Sequence, residues 1–207
     1  MDNSGKRLPA TFYQNKDVVH LGRSLIGKVL VSEIDGLRTS GIIVEAEAYR
    51  GPDDKACHAY ANRRTPRTEV MYKRGGHAYI YICYGMHHLF NVVTGPEEYA
   101  HAVLIRALEP LEGLEIMMKR RQLKTNEERI TKGPGALSVA MGFDKSFSGH
   151  SLVGPESLIY IEDRQIQIDP ELIAAGPRIG VESAGACASW PWRFYIRKHR
   201  NVSAKRT

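Results

Sequence analysis

The chain has 207 residues, which is near the upper end of one ordinary domain and enough to bury a hydrophobic core. Hydrophobic residues make up 43% of it and charged residues 25%, and this composition excludes a disordered chain. The formal net charge is +6 and the sequence pI is about 9.2. Such a charge suits a polyanionic partner such as nucleic acid, although a merely basic surface explains it equally well.

The cysteines and the N-terminus give expectations about the compartment. Cys57, Cys83 and Cys187 are odd in number and form no CxxC pair, which favours a reducing compartment without a disulfide scaffold. The N-terminus lacks the apolar segment of a signal peptide, and the most apolar stretch carries histidines and glycines that argue against a membrane span. We expect a cytoplasmic protein in which residues 1–207 form a single domain, with loose tails at about 1–10 and 202–207.

The first half of the chain predicts a helix followed by a long β-hairpin. Apolar residues recur on one stripe from Asp17 to Val29, and Asp17 can cap a helix there. A strand is predicted over 28–33 and its partner over 39–49, because Asp35-Gly36 between them is a strong two-residue turn signal. Residues 50–76 are polar and interrupted by Gly and Pro, which is typical of a long functional loop.

The second half mixes strand and helix signals without the regular spacing of a parallel sheet. The predicted elements are a strand over 76–84, a turn at Tyr84-Gly85, strands over 88–94 and 102–108, a helix over 109–122, a polar link over 124–132, a helix over 133–141, two or three strands within 151–181 and a last strand over 192–197. This pattern predicts an α+β fold, a single mixed domain with a curved, mostly antiparallel β-sheet flanked by helices and a protruding β-hairpin.

Two glutamates stand in the strand GIIVEAEAY, which ends just before the long loop. Strict alternation places Ile43, Glu45, Glu47 and Tyr49 on one face. Spacing alone favours a half-buried strand whose glutamates lie in water. The functional alternative is a general acid or base at the end of a strand, and the small residues at 46 and 48 allow a close approach.

The stretch GHAYIYICYGMHHLFN is unusually rich in rings. By parity Tyr79 and Tyr81 share a face, and Tyr84 falls on the opposite one. Such rings pack in a sheet core or form a stacking platform for bases. The basic residues within 63–74 and 119–124 favour the second interpretation.

Other kinds of site have weaker support. Cys57, His58, His77, Cys83 and the pair His87-His88 lack the paired spacing of a zinc site. The segment GPGALSVAMG at 133–142 is glycine-rich but lacks the pattern of a phosphate-binding loop, and no Ser/His/Asp arrangement stands out. The roles of the two histidines of GMHHLF do not follow from the sequence.

Several segments together resemble the alkyladenine (3-methyladenine) DNA glycosylase family, in the same order and over roughly residues 17 to 200. They are EAEAYRGPDDKACHA, RRTPRTEVMY, YIYICYGMHHLFNVV, AVLIRALEPLEGLE, KGPGALSVAMGFDKSF and RFYIRKHRNVS. The short N-terminus resembles bacterial members. The resemblance implies a DNA repair enzyme that flips alkylated or deaminated purines out of double-stranded DNA and hydrolyses the N-glycosidic bond, leaving an abasic site. It also implies no cofactor, no metal and no obligate protein partner, with a monomer as the expected state.

The resemblance further implies roles for individual residues. Glu47 matches the general base that activates water, and Arg106 matches the residue that helps to hold that water. Three rings, Tyr49, His58 and Tyr81, match those that sandwich the flipped base. Asn91 matches the side chain that excludes the 2-amino group of guanine. Tyr84 matches the residue that intercalates into the DNA, whereas Tyr79 matches no functional position and is expected in the core.

Two alternatives remain at this point. A non-catalytic nucleic-acid binder would use the same basic and aromatic surface, but would leave Glu47 exposed. A metal-dependent nuclease or deaminase would bind zinc at Cys57, His58 and Cys83. The glycosylase hypothesis predicts Glu47 buried beside an aromatic cleft, so the burial of this one side chain separates the first two hypotheses.

Overall fold

A computed structural model describes residues 5–125 and 128–203 of the chain. The described α-helices are four short ones: α1 Ala10–Tyr13, α2 Val18–Ser24, α3 Leu114–Arg121 and α4 Pro134–Met141. The described strands are β1 Lys6–Arg7, β2 Val29–Ile34, β3 Leu37–Arg50, β4 Ala78–Cys83, β5 His87–Thr94, β6 His101–Glu112, β7 Ile159–Asp163, β8 Ile173–Gly176 and β9 Arg193–Ile196. Part of the predicted polar link over 124–132 lies outside the described residues.

The strands form one mostly antiparallel sheet with few helices, and the fold is a single mixed α+β domain, as predicted. The order is β1-β7-β2-β3-β6-β5-β4, with β9 joined to β3 and β8 joined to β9. The paired strands named here all run antiparallel, and the turn at Asp35-Gly36 joins β2 to β3 as the sequence indicates.

Strand β3 is the centre of the sheet and changes neighbour along its length. Its first part pairs with β2, whereas residues 45–47 pair with β9, and β6 runs along its other edge throughout. The register against β6 shifts between Ile43 and Glu45 and again between Glu45 and Ala46. A β-bulge of this kind interrupts strict alternation. Consequently Ile43 packs in the same core cluster as Ala46 and Ala48, and the prediction that Ile43 shares a face with Glu45 is wrong.

The main core lies between the sheet and helices α2 and α4. The Asp17 side chain caps α2 by accepting a hydrogen bond from the His20 amide at 2.9 Å, as predicted. The helix ends at Ser24, earlier than the predicted Val29, but Leu25 remains completely buried after it. Phe90 of β5 stacks on Phe143 just beyond α4, with ring centroids 4.6 Å apart, and this contact fixes the hairpin strand β5 against the helix.

The prediction of a helix over 109–122 is wrong in its first part. Strand β6 continues to Glu112, and α3 begins only at Leu114. Pro110 signalled a helix start, yet it lies opposite Gly41, next to a register shift in the ladder. Proline has no amide hydrogen to donate and is tolerated in a sheet at such irregular positions.

Parts of both expected tails are held by the sheet and the core. Lys6 and Arg7 pair with β7, and the Arg7 guanidinium also donates to the carbonyl oxygens of Gly154 and Pro155 and lies over the ring of Tyr160. At the other end, Ser203 donates two hydrogen bonds to the buried carboxylate of Glu45. The remaining tail residues, 1–4 and 204–207, are outside the described part of the chain.

Candidate active site

A cavity of about 480 Å³ opens beside the β4–β5 hairpin. This volume lies within the usual range of small-ligand pockets, about 300–1,000 Å³. Its walls come from the end of β3, the loop after it, the hairpin, β6, the start of α4 and the segment 179–181. Six of the seven residues that the resemblance singles out line it: Tyr49, His58, Tyr81, Tyr84, Asn91 and Arg106.

Glu47, the seventh, lies directly behind the cavity wall and is completely buried. One carboxylate oxygen accepts from the Tyr49 hydroxyl at 2.7 Å and lies 3.3 Å from the Arg106 guanidinium. The other accepts from the Ile179 amide at 2.7 Å. The expectation from spacing alone, glutamates in water, is wrong because the two carboxylates are enclosed by Arg106, Arg193 and the amides of Ser203 and Ile179.

The surroundings of Glu47 shift its acidity in opposite directions. Burial raises the pKa of Glu47 above its ordinary value, whereas the Arg106 cation, the Ile179 amide and the Tyr49 hydroxyl lower it. Burial is the largest of these causes, so the net direction is upward. Burial also raises the pKa of Tyr49 well above 10, which keeps its hydroxyl a donor to Glu47. A carboxylate with a raised pKa is a stronger base than one in water.

The second carboxylate, Glu45, holds Arg106 in place. It is completely buried and accepts from Arg106 at 3.1 Å and from Arg193 at 3.0 Å. It also accepts from the amide and hydroxyl of Ser203, at 2.8 Å and 2.7 Å. Arg106 is thereby fixed between the two glutamates, with one end on Glu45 and the other on Glu47. Glu47 thus supplies the carboxylate beside the cavity, and Glu45 anchors Arg106, the cation that pairs with Glu47.

Three aromatic side chains form a cluster in the cavity wall. Tyr79, Tyr81 and His58 lie together, with the His58 and Tyr81 ring centroids 4.6 Å apart and nearly perpendicular. Tyr49 and Tyr81 both line the cavity, whose floor and sides are otherwise mostly apolar. The sheet brings these distant rings together, because its register places Tyr79 of β4 level with Glu47 of β3, through Asn91 of β5 and Leu104 of β6.

The hydrogen bonds of His58 fix its tautomer. Arg67 can only donate, so the ring nitrogen Nε2, 3.1 Å from it, is the acceptor. The other nitrogen, Nδ1, then carries the proton and donates to the Tyr79 hydroxyl at 2.8 Å. Burial, with a smaller effect of Arg67, lowers the pKa of His58 to about 4. His58 is therefore neutral at physiological pH.

Asn91 is buried on β5 with its amide orientation set by the backbone. Its nitrogen donates to the carbonyl oxygens of Tyr79 and Leu89, at 3.0 Å and 3.1 Å. A flipped amide would set its oxygen against two other oxygens, so the carbonyl end is directed away from them. The cavity wall formed by Asn91 is consequently rigid.

The β4–β5 hairpin projects an apolar tip into solvent. Tyr84 has φ of 51° and Gly85 has φ of 71°, the left-handed values that a tight two-residue turn requires. The Tyr84 side chain is 88% exposed, and its neighbours Ile82 and Met86 are exposed as well. Exposed apolar side chains at one tip mark an interaction site. Met86 is part of this tip although the sequence interpretation passed over it.

The two histidines after the turn, whose role the sequence left open, brace the hairpin. His87 lies against the first turn of α4, where a Cβ on Gly135 would come within 3.0 Å of its ring. His88 lies near Asp144; the Ser146 hydroxyl and amide lower the pKa of Asp144, and His88 adds to this shift. Helix α4 and the residues just after it therefore lie against the start of β5.

Some basic side chains of the predicted clusters are paired within the protein, and others are exposed to solvent. Arg64 is paired with Glu69 and Glu98, and Arg120 and Arg121 donate to backbone carbonyl oxygens. In contrast, the side chains of Arg63, Lys73 and Arg74, in or next to the long loop beside the cavity, are exposed. This weakens the expectation that the whole 119–124 cluster binds nucleic acid. The exposed side chains of Arg63, Lys73 and Arg74 remain candidates for such contacts.

Residues 5–125 and 128–203 were compared with the requirements of a metal site and of a membrane-spanning helix. Within these ranges no group of three or more His, Cys, Asp or Glu side chains is placed to hold a metal ion. Nor is any helix there long and apolar enough to cross a membrane. The zinc site of the nuclease or deaminase alternative, at Cys57, His58 and Cys83, has no counterpart in this part of the molecule.

Sequence reasoning missed two contributors to the site. Tyr79, expected in the core only, is indeed buried but also lines the cavity and bonds His58. Tyr79 lies two residues before Tyr81 on the same strand, and this spacing, which places both rings on one face, could have indicated its role. The Ile179 amide carries no signal in the sequence, because any residue except proline supplies the same donor.

Comparison with known proteins decides the family. The model of the methylpurine-DNA glycosylase family matches residues 11–200. The chain belongs to this family. Relatives that carry the provisional name 3-methyladenine DNA glycosylase include one from Chlamydia abortus, 49% identical over 91% of this chain and 97% of its own. Another, from Chlamydia felis, is 48% identical over 94% of this chain and 100% of its own. One from Bacillus cereus strain G9842 is 45% identical over 95% of this chain and 98% of its own.

The family assignment confirms the resemblance seen in the sequence. The protein is a DNA glycosylase for alkylated bases in repair, a hydrolase of N-glycosyl bonds with DNA as its substrate. The non-catalytic alternative also fails its own structural requirement, because it needs Glu47 exposed and Glu47 is completely buried.

Proposed function

We propose that this glycosylase flips an alkylated or deaminated purine out of duplex DNA into the cavity, where a water activated by Glu47 displaces the base. The observation that carries the proposal is the placement of Glu47. It is a buried carboxylate directly behind an aromatic cavity, held by Arg106, Tyr49 and the Ile179 amide. Residues in such surroundings are candidates for acid–base catalysis.

The proposed chemical step needs only groups of this chain and a water molecule. Glu47 takes a proton from the water while the water oxygen forms a bond to C1′ of the sugar. The C1′–N bond breaks and its electron pair leaves with the base, which neutralises an alkylated, positively charged purine. Arg106 orients the carboxylate and the water. The Glu47 charge also stabilises the positive charge that develops on the sugar, and a positioned general base contributes typically about 10²–10⁴-fold.

The aromatic rings give the cavity its affinity for the base. Tyr49 on one side and His58 with Tyr81 on the other would sandwich a flat purine. The electron-rich face of a tyrosine attracts a cation more strongly than a neutral ring, which favours alkylated purines. The neutral state of His58 supports this role, because an imidazolium in the wall would repel a cationic base. Asn91, rigidly held, would crowd the 2-amino group of normal guanine.

The hairpin tip would keep the duplex open. Tyr84 protrudes as an exposed ring at a tight turn and also borders the cavity. Insertion of such a side chain costs a few kcal/mol of unstacking, which the flipped nucleotide and the backbone contacts offset. Exposed Arg63, Lys73 and Arg74 would neutralise phosphates beside the cavity. We propose that the protein acts as a monomer on chromosomal DNA in the bacterial cytoplasm.

The first test uses defined substrates. The protein is incubated with a duplex carrying one hypoxanthine and, separately, with methylated DNA, both with EDTA present. The proposal predicts free base and an alkali-labile site from at least one substrate, with EDTA making no difference. Release of no base from either substrate, or loss of activity in EDTA, would overturn it.

A further inference from the structure

Arg178 is a fully buried cation outside the cavity, and the mechanism above gives it no task. Its guanidinium makes two hydrogen bonds to the equally buried Asp54. It also donates to the Ala48 carbonyl oxygen at 2.8 Å and the Cys187 carbonyl oxygen at 3.1 Å. The end of β3, the start of the long loop and the segment before β9 are therefore tied together by one side chain.

The residue next to Arg178 is the one that touches the general base. The Ile179 amide donates to Glu47 at 2.7 Å, and Ile179, Gly180 and Val181 line the cavity. A backbone amide can bond a carboxylate at this distance only if its segment is held against the strand. On the other side of the segment, Arg193 donates to the Pro177 carbonyl oxygen at 2.9 Å, which fixes only the start of the segment.

Arg178 also supports the ring that covers Glu47. Its guanidinium carbon lies 4.7 Å from the centre of the Tyr49 ring and 5.3 Å from that of Trp192. Since Tyr49 lines the cavity and Arg178 does not, the guanidinium contacts the ring away from the cavity. A cation over an aromatic face holds the ring in orientation. The same side chain thus positions two of the three donors to Glu47.

We propose that Arg178 is a positioning residue for base excision: by clamping the 177–181 segment and the Tyr49 ring it keeps the Ile179 amide and the Tyr49 hydroxyl on Glu47. The inference rests on the proposed role of Glu47 as the base. The charged and titratable groups around Glu47 are Arg106 on β6, Glu45 and Tyr49 on β3, Tyr81 on β4 and Arg178 itself. Loss of Arg178 removes one nearby positive charge and frees two donors, and both changes destabilise the ionised carboxylate.

The test measures single-turnover excision against pH. The substrate is a duplex with one 7-methylguanine, which stays cationic at acid pH, so the acid limb reports on groups of the enzyme. Arg178→Met is expected to reduce the rate at neutral pH tenfold or more and to move the acid limb upward by about one pH unit. Arg178→Lys keeps the charge but not the fork of donors, and should recover part of both losses. Ile179→Pro, which removes the amide hydrogen and keeps Arg178, should move the acid limb in the same direction.

A matched control separates positioning from general destabilisation. Arg164 is a similarly enclosed arginine, paired with Glu112 and Glu162 away from the cavity. Arg164→Met should lower thermal stability and leave the acid limb in place. If Arg178→Met does not fold, Arg178→Lys decides the question. An acid limb unmoved in the folded Arg178 variants would overturn the inference while the wild type still releases base. A wild type that releases no base would instead overturn the proposed function.

Discussion

Replacement of Glu45 by glutamine should damage both the stability and the pH dependence of the enzyme. Glu45 is completely buried and accepts four hydrogen bonds, from Arg106, Arg193 and twice from Ser203. The substitution leaves two enclosed arginines with one carboxylate fewer, and turns one acceptor into a donor. Breaking a buried ion pair typically costs about 3–5 kcal/mol. At about 3 kcal/mol, a domain of this size should lose about 6–12 °C in Tm.

The sign of the pH effect follows from charge. Glu45 raises the pKa of Glu47, so its neutralisation should lower that pKa and move the acid limb of excision to lower pH. Thermal unfolding by circular dichroism and single-turnover excision against pH are the two assays. Glu33→Gln is the matched control, because Glu33 is paired with Arg38 at the surface, where an ion pair contributes about 0–1 kcal/mol. Equal Tm values for the two variants, or an acid limb that does not move in Glu45→Gln, would refute the reasoning.

Two further predictions concern the aromatic residues. Tyr84→Ala should leave Tm within about 1 °C, because the side chain is 88% exposed, but should weaken binding to lesion-containing duplex at least tenfold in a fluorescence anisotropy titration; unchanged affinity would remove Tyr84 from the interface. Tyr79→Phe should cost about 1 kcal/mol in urea unfolding and slow excision severalfold, because the acceptor of the His58 proton is lost; full activity would show that His58 needs no such support.

The family resemblance and the alternation of strands were enough to predict the fold class and six of the residues that line the cavity. The Asp17 cap, the Asp35-Gly36 turn and the turn at Tyr84-Gly85 are local signals, and each is confirmed because few residue types satisfy those backbone conformations. The family resemblance predicted one shared site for Tyr49, His58 and Tyr81, although their spacing in the sequence gives no sign of it.

The predictions that were wrong depend on contacts between residues far apart in the sequence. Pro110 lies in a strand because of its position opposite Gly41, which no window around it shows. Whether Glu45 and Glu47 meet water depends on the Ile179 amide, Arg193 and Ser203, 132 to 158 residues further along the chain, which bind their carboxylates. The bulge at Ile43–Glu45 lies near the point where β3 changes its neighbour from β2 to β9, and no local sequence window shows either partner strand. The Ile179 amide is a backbone group and leaves no trace in residue type.

The most direct test of the central claim is single-turnover excision by Glu47→Gln. Glutamine keeps one carbonyl oxygen to accept from the Ile179 amide, and Arg106 keeps its pairing with Glu45, so the variant should fold, with a Tm lowered by the loss of one buried ion pair. The account predicts that it still binds a 7-methylguanine duplex and excises the base at least 100-fold more slowly. A folded Glu47→Gln protein with wild-type excision would contradict the account.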